Sequence, residues 1–91
     1  MPVKVKIAVQ FRKLTQNRST VSTEGKTVDE VLINLTRDYP EILNKIFDEE
    51  GNRRKSINIY INREDVRYLG DRENRLEPDD EIYIIPPASG G

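Results

Sequence analysis

Apolar and polar residues alternate strictly at the start of the chain: Val3, Val5, Ile7, Val9 and Phe11 are separated by Lys4, Lys6, Ala8 and Gln10. A period of two over this length predicts a strand with one buried face. The polar turn Thr15-Gln16-Asn17-Arg18 leads to the β-branched run Thr20-Val21-Ser22-Thr23, its expected hairpin partner, and Glu24-Gly25-Lys26 breaks the pattern. The period then lengthens. Val28, Val31, Leu32, Leu35 and Tyr39 follow helical spacing, and Thr27-Val28-Asp29-Glu30 is a capping box in which Thr27 and Glu30 are each able to bond the other's backbone N–H. Pro40 disfavours helical backbone at the residue before it, so the helix is expected over 28–38. A further short helical turn from Pro40 carries Ile42, Leu43, Ile46 and Phe47 back to the core.

Asp48 to Lys55 is a charged loop. Its acids lack the spacing of a calcium-binding loop, and Arg53-Arg54-Lys55 beside three acids reads as a solvated surface, with no nucleic-acid partner expected. Ile57, Ile59 and Ile61 alternate with Asn58, Tyr60 and Asn62 to give a third strand. Asn62-Arg63-Glu64-Asp65 has turn chemistry, Val66 to Leu69 is expected to return as a short strand, and Gly70 to Arg75 is a polar loop. Glu77-Pro78-Asp79-Asp80 makes a tight turn before the last strand, Glu81 to Ile85. The order is ββαββ, one helix covering one face of a mixed sheet whose first and last strands pair in parallel. That is an α+β architecture of the β-grasp, or ubiquitin-like, kind. With Ile57, Ile59, Ile61, Ile82 and Ile84 against the helix, the outer face carries Lys4, Lys6, Ala8, Gln10, Asn58, Tyr60, Tyr83 and Ile85. Tyr60, Tyr83 and Ile85 form an apolar patch there, suited to docking a partner.

Composition narrows the chemistry. The 91 residues suit one domain, and 35% apolar with 34% charged residues at net charge −1 is a globular balance. The alternating charges of the first six residues resemble no signal peptide, and no segment has the length of a membrane span, so a cytoplasmic protein without a membrane partner is expected. There is no cysteine and no histidine. Disulfides, iron–sulfur clusters and thiolate nucleophiles are excluded, and the commonest general base and metal ligand are missing. No catalytic residue, metal site or bound cofactor is expected, and any reactivity has to be borrowed from a partner.

The remaining feature is the ending, Pro86-Pro87-Ala88-Ser89-Gly90-Gly91, which follows the last strand directly. Two prolines fix φ and remove N–H donors, so they end strand pairing and project an extended spacer. Two glycines, having no Cβ, pass through a narrow slot. Strand, stiff spacer and slim tip together suit a carboxylate at Gly91 presented to another protein's active site. Residues 1–85 are read as the folded domain and 86–91 as a flexible tail. Taken alone, the dipeptide favours an incidental terminus over a working one.

The segment from Leu76 through Gly91 resembles the closing segment of the ubiquitin-like sulfur carriers of the MoaD/ThiS family, in which an acidic turn, an apolar last strand and a prolyl tail end in Gly-Gly. Pro86-Pro87 is similar to the ending of molybdopterin synthase small subunits (MoaD type), whereas Ile57 to Arg67 is more similar to the carriers of cysteine biosynthesis (CysO type). The resemblance implies that an E1-like enzyme, using ATP and Mg²⁺, adenylates the Gly91 carboxylate. Sulfur transfer then makes a thiocarboxylate, and a downstream enzyme, a cysteine synthase or a molybdopterin synthase large subunit, consumes it. It also implies that Pro86, Pro87, Ala88, Ser89 and Gly90 thread the partner's channel while Tyr60, Tyr83 and Ile85 dock. The acidic turn of Glu77, Asp79, Asp80 and Glu81 reads as solvated, with steering toward a basic surface as its functional alternative. The cysteine-type pathway is favoured. Alternatives are the molybdopterin or tRNA-thiolation branch, a modifier joined to lysines through Gly91, or a passive interaction module.

Overall fold

A computed structural model describes residues 2–87. Strands β1 (Pro2–Ile7) and β2 (Thr20–Glu24) form an antiparallel hairpin that pairs Val3 with Thr23 and Val5 with Val21. Helix α1 (Val28–Asp38) and a single turn, α2 (Leu43–Ile46), follow. Strands β3 (Asn58–Ile61), β4 (Glu64–Asp65) and β5 (Glu81–Ile85) complete a five-stranded sheet in the order β2-β1-β5-β3-β4. β5 lies parallel to β1, with Val5 opposite Ile82 and Ile7 opposite Ile84, and antiparallel to β3, with Tyr60 opposite Tyr83. This is the expected β-grasp, ubiquitin-like roll. No helix among the described residues is long and apolar enough to cross a membrane.

The core follows the two periodicities. Val3, Val5 and Ile7 of β1, Ile59 and Ile61 of β3 and Ile82 and Ile84 of β5 are buried, and they meet Val28, Val31, Leu32 and Leu35 of α1 together with Ile42 and Ile46. Fully burying one such side chain contributes about 1.5–3 kcal/mol. Ile57 lies just before β3 and is only half-buried against this core. Helix α1 begins at Thr27, whose hydroxyl accepts from the Glu30 N–H at 3.1 Å. The reciprocal bond is displaced by one residue: the Glu30 carboxylate accepts from the N–H of Lys26 at 2.9 Å, not from that of Thr27. Asn34 on the same helix donates to the Glu24 carbonyl at 2.6 Å and ties α1 to β2.

Two expected strands are shorter or absent. β1 stops at Ile7, and Val9–Thr15 forms a 3-10 helix in which Val9 is 70% exposed and Phe11 is buried. The physical reason lies in the parallel register: two steps past Ile7 opposite Ile84, Val9 would face Pro86, which has no N–H to give a ladder. The N–H of Phe11 instead donates to the Ala8 carbonyl at 2.9 Å, and Gln16 and Asn17 adopt left-handed φ of 56° and 63° to turn toward β2. Val66 to Leu69 does not form a strand. Asp65 accepts from the backbone N–H of Arg67 at 2.9 Å, and Val66–Tyr68 winds into a 3-10 turn. Local side-chain bonding takes the donor that a ladder would use.

Gly25 sits where β2 gives way to α1, and a Cβ there would lie 2.7 Å from both the backbone nitrogen and Cγ2 of Val31. The helix can approach only because that atom is missing. Gly25→Ala is therefore expected to lower stability by about 1–3 kcal/mol through overpacking. A urea midpoint unchanged from the parent protein would refute the constraint.

Candidate functional site

The root of the tail is held from two sides. β5 has β1 on one flank and β3 on the other, and Ile85 is followed at once by Pro86 and Pro87, both half-buried. Ala88, Ser89, Gly90 and Gly91, the residues expected to enter a partner, lie outside the described residues.

On the sheet face turned away from α1, the structure brings together the three residues expected to form a patch. Tyr60 and Tyr83 are direct cross-strand partners, Asn58 faces Ile85 across the same ladder, and Ile85 is 37% exposed. Tyr60, Tyr83 and Ile85 border a shallow depression of about 360 Å³ with Asn62 and Arg63. The Tyr83 hydroxyl donates to the Glu81 carboxylate at 3.1 Å, and this bond, aided by burial and the carboxylate's charge, holds the phenol protonated above its ordinary range. Lys4 and Lys6 stand beside Glu81 and Tyr83 in the parallel register. Ala8 and Gln10, expected on this face, have left the sheet with the 3-10 helix.

The chain leading into β5 is clasped by a carboxylate. Asp80 is only 4% exposed; its oxygens accept from Arg72 Nη2 at 2.7 and 2.8 Å, from Asn62 Nδ2 at 3.2 Å and from the Glu77 N–H at 2.8 Å. Asn62, in a left-handed conformation (φ 59°), adds a bond from the Glu81 N–H to its own side-chain oxygen at 3.1 Å. Burial alone would raise the Asp80 pKa, but the Glu77 N–H, the Arg72 guanidinium and the Asn62 amide outweigh it and hold the group below the usual carboxylate value. The sequence shows four acids in one turn. The structure turns Asp80 inward and pairs it with Arg72, whereas Glu77 and Asp79 remain exposed. Sequence reasoning missed this clasp because Arg72 and Asn62 are 8 and 18 residues from Asp80.

A second acid–base pair sits at the far edge of the sheet. Asp65 lies below the ordinary carboxylate range because the Arg67 guanidinium donates to it, at 2.6 Å from Nη2, and the Arg67 N–H adds a further bond. The Arg67 guanidinium also stands 5.9 Å from the centre of the Tyr68 ring.

A sheet with one covering helix, a last strand flanked on both sides and a prolyl exit at its end define the class of ubiquitin-like β-grasp proteins. The chain belongs to the ThiS family, which it matches over residues 5–91. It is 32% identical, over the full length of both chains, to the sulfur carrier protein CysO of Mycobacterium tuberculosis. Its structure is similar to that of small archaeal modifier protein 1 from Methanosarcina acetivorans, with a TM-score of 0.86 and 38% identity, covering 99% of this chain and 96% of that one. A chain of the Amycolatopsis orientalis BexX/CysO complex gives a TM-score of 0.84 at 31% identity, covering 98% of this chain and 99% of the other.

Asp80→Asn removes the charge but keeps the shape, and is expected to lower stability by about 1–3 kcal/mol at pH 7. The native pKa lies below the unfolded one, so the contribution is complete above the unfolded value of about 3.9 and disappears as pH falls through the native value. Urea titrations at stepped pH should show the two proteins converging on the acid side. A gap independent of pH would exclude the carboxylate charge as its source.

Proposed function

We propose that this chain is a sulfur carrier of the cysteine-biosynthesis type, and that its working group is the carboxylate of Gly91. The observation that carries the reading is β5: a strand paired on both flanks, clasped at its start by Asp80 and opening at its end onto the diprolyl spacer. Full-length likeness to CysO supports the choice of branch. At neutral pH an α-carboxyl, with a pKa of about 3.3–3.7, is an anion and a poor electrophile. An E1-like partner overcomes this by joining the carboxylate to the α-phosphorus of ATP, with Mg²⁺, releasing pyrophosphate. A sulfur nucleophile then displaces AMP from the acyl carbon and leaves a thiocarboxylate. A downstream enzyme, a cysteine synthase on this reading, consumes the sulfur. Gly91 is thus a substrate and no residue of the chain is a catalyst. Pro86, Pro87, Ala88, Ser89 and Gly90 reach through the partner's channel, and Tyr60, Tyr83 and Ile85 dock against its surface.

The likeness to a small archaeal modifier protein at 38% identity favours a second reading, in which the same activated Gly91 is joined to lysines of other proteins. Both readings need adenylation. They separate in cells, where lysine adducts bearing Gly91 accumulate only on the second.

Incubation with an E1-like enzyme from the same organism, ATP and a sulfur donor is expected to replace one oxygen of the intact protein by sulfur, read by mass spectrometry. Deleting Gly91, or Gly90→Trp, should abolish the change while leaving the circular dichroism spectrum intact. An unmodified mass with every such enzyme of that organism would sink the carrier reading. For the docking patch, Ile85→Asp should raise the KM for the carrier in adenylation about tenfold, the loss from roughly 1.4 kcal/mol of contact energy. An unchanged KM removes Ile85 from the interface.

A further inference from the structure

On the other side of the tail's root lies a groove of about 750 Å³ where four separate segments meet. Pro86 and Pro87 form part of its wall, and Phe11, Leu14 and Ile57 supply an apolar lining. Three cations, Lys13, Lys45 and Arg54, line the same groove, and among the described residues no acid does. That segregation stands out in a chain of net charge −1. Arg54 is fixed in place: its Nε donates to the Asn44 carbonyl at 2.8 Å and its backbone N–H to the Ile46 carbonyl, also at 2.8 Å. Lys13 and Lys45 come from different elements, the 3-10 helix and α2, and both are exposed.

We propose that this groove receives an acidic segment with an apolar anchor, carried on the rim of the enzyme that takes up the tail. The proposal rests on the carrier reading. Four residues follow Pro87, and a fully extended chain of that length spans at most about 13–14 Å. Any active site that engages Gly91 must bring its rim within that distance of Pro87, which is itself part of the groove wall. Clustered cations attract an acidic rim and speed encounter, while the apolar lining gives it a contact that water does not compete for. A nucleic acid fits less well, because the one aromatic ring lining the groove, Phe11, is buried and offers no face for base stacking.

The test is the double variant Lys13→Glu/Lys45→Glu in ATP–pyrophosphate exchange driven by the E1-like enzyme of the same organism. The KM for the carrier is expected to rise about tenfold with kcat unchanged, and the difference should shrink as salt screens the charges. Lys26→Glu, an exposed charge reversal outside the groove, should leave both parameters alone. An unchanged KM for the double variant overturns the proposal. So does loss of tRNA retardation on a gel at unchanged KM, which would make the groove a nucleic-acid site. If the unaltered protein itself supports no exchange, the carrier reading fails and the groove assignment falls with it; that outcome is distinct, because parent and variant are then equally inert.

Discussion

The parallel pairing of β1 with β5 is the constraint on which the rest depends. It places the last strand inside the sheet, where β3 can flank it, and it draws the two ends of the described chain into one ladder. Parallel strands cannot be joined by a tight turn, so β2, α1, β3 and β4 all lie within the connection between them. The inward faces of β1 and β5 then present Val3, Val5, Ile7, Ile82 and Ile84 as one apolar surface, and α1 covers it with Val28, Val31, Leu32 and Leu35. A tail that leaves such a strand starts from a point hydrogen-bonded on both flanks.

Pro86 and Pro87 act on both sides of that ladder. They end β5, and because they offer no N–H they leave β1 no ladder donor beyond Ala8. The chain after Ile7 therefore curls into the 3-10 helix, buries Phe11 and brings Leu14 beside the prolines. The groove at the tail's root is walled in part by the same two residues that end β5. At the other end of β5, Asp80 gathers Arg72, Asn62 and the Glu77 N–H into a buried clasp, which fixes where the strand begins. A buried carboxylate with four polar contacts avoids the large penalty that an unpaired one would incur.

On the carrier reading proposed above, recognition is divided between two faces around the tail's root. The tyrosine and isoleucine patch lies on the open side of the sheet, and the cationic groove lies on the side of α2 and the 3-10 helix. A partner that surrounds the tail meets both, one chiefly apolar and the other charged. Apolar contacts hold a complex together, whereas clustered charge mainly sets how fast and with which partner it forms.

Residues whose role depends on period and local chemistry were legible in the sequence. The alternation in β1, β3 and β5, the helix over 28–38 with its Thr27 cap and the turn at Glu77 to Asp80 all follow from side chains within a few positions of one another. The placing of Tyr60 and Tyr83 on one outer face also followed, once the isoleucines had chosen the inner face; that they stand directly opposite each other was set by the pairing of β3 with β5. Tertiary structure decided the rest. Val9 fits the strand period yet lies outside the sheet because its parallel neighbour would be a proline. Asp80 looks like any other acid of the turn yet is buried, because Arg72 and Asn62 reach it from distant segments. The groove of Lys13, Lys45 and Arg54 has no signature at any spacing, since it exists only where four segments converge. Local pattern records which face of an element is apolar; which elements meet, and what they bury between them, is set by long-range contacts that no short window contains.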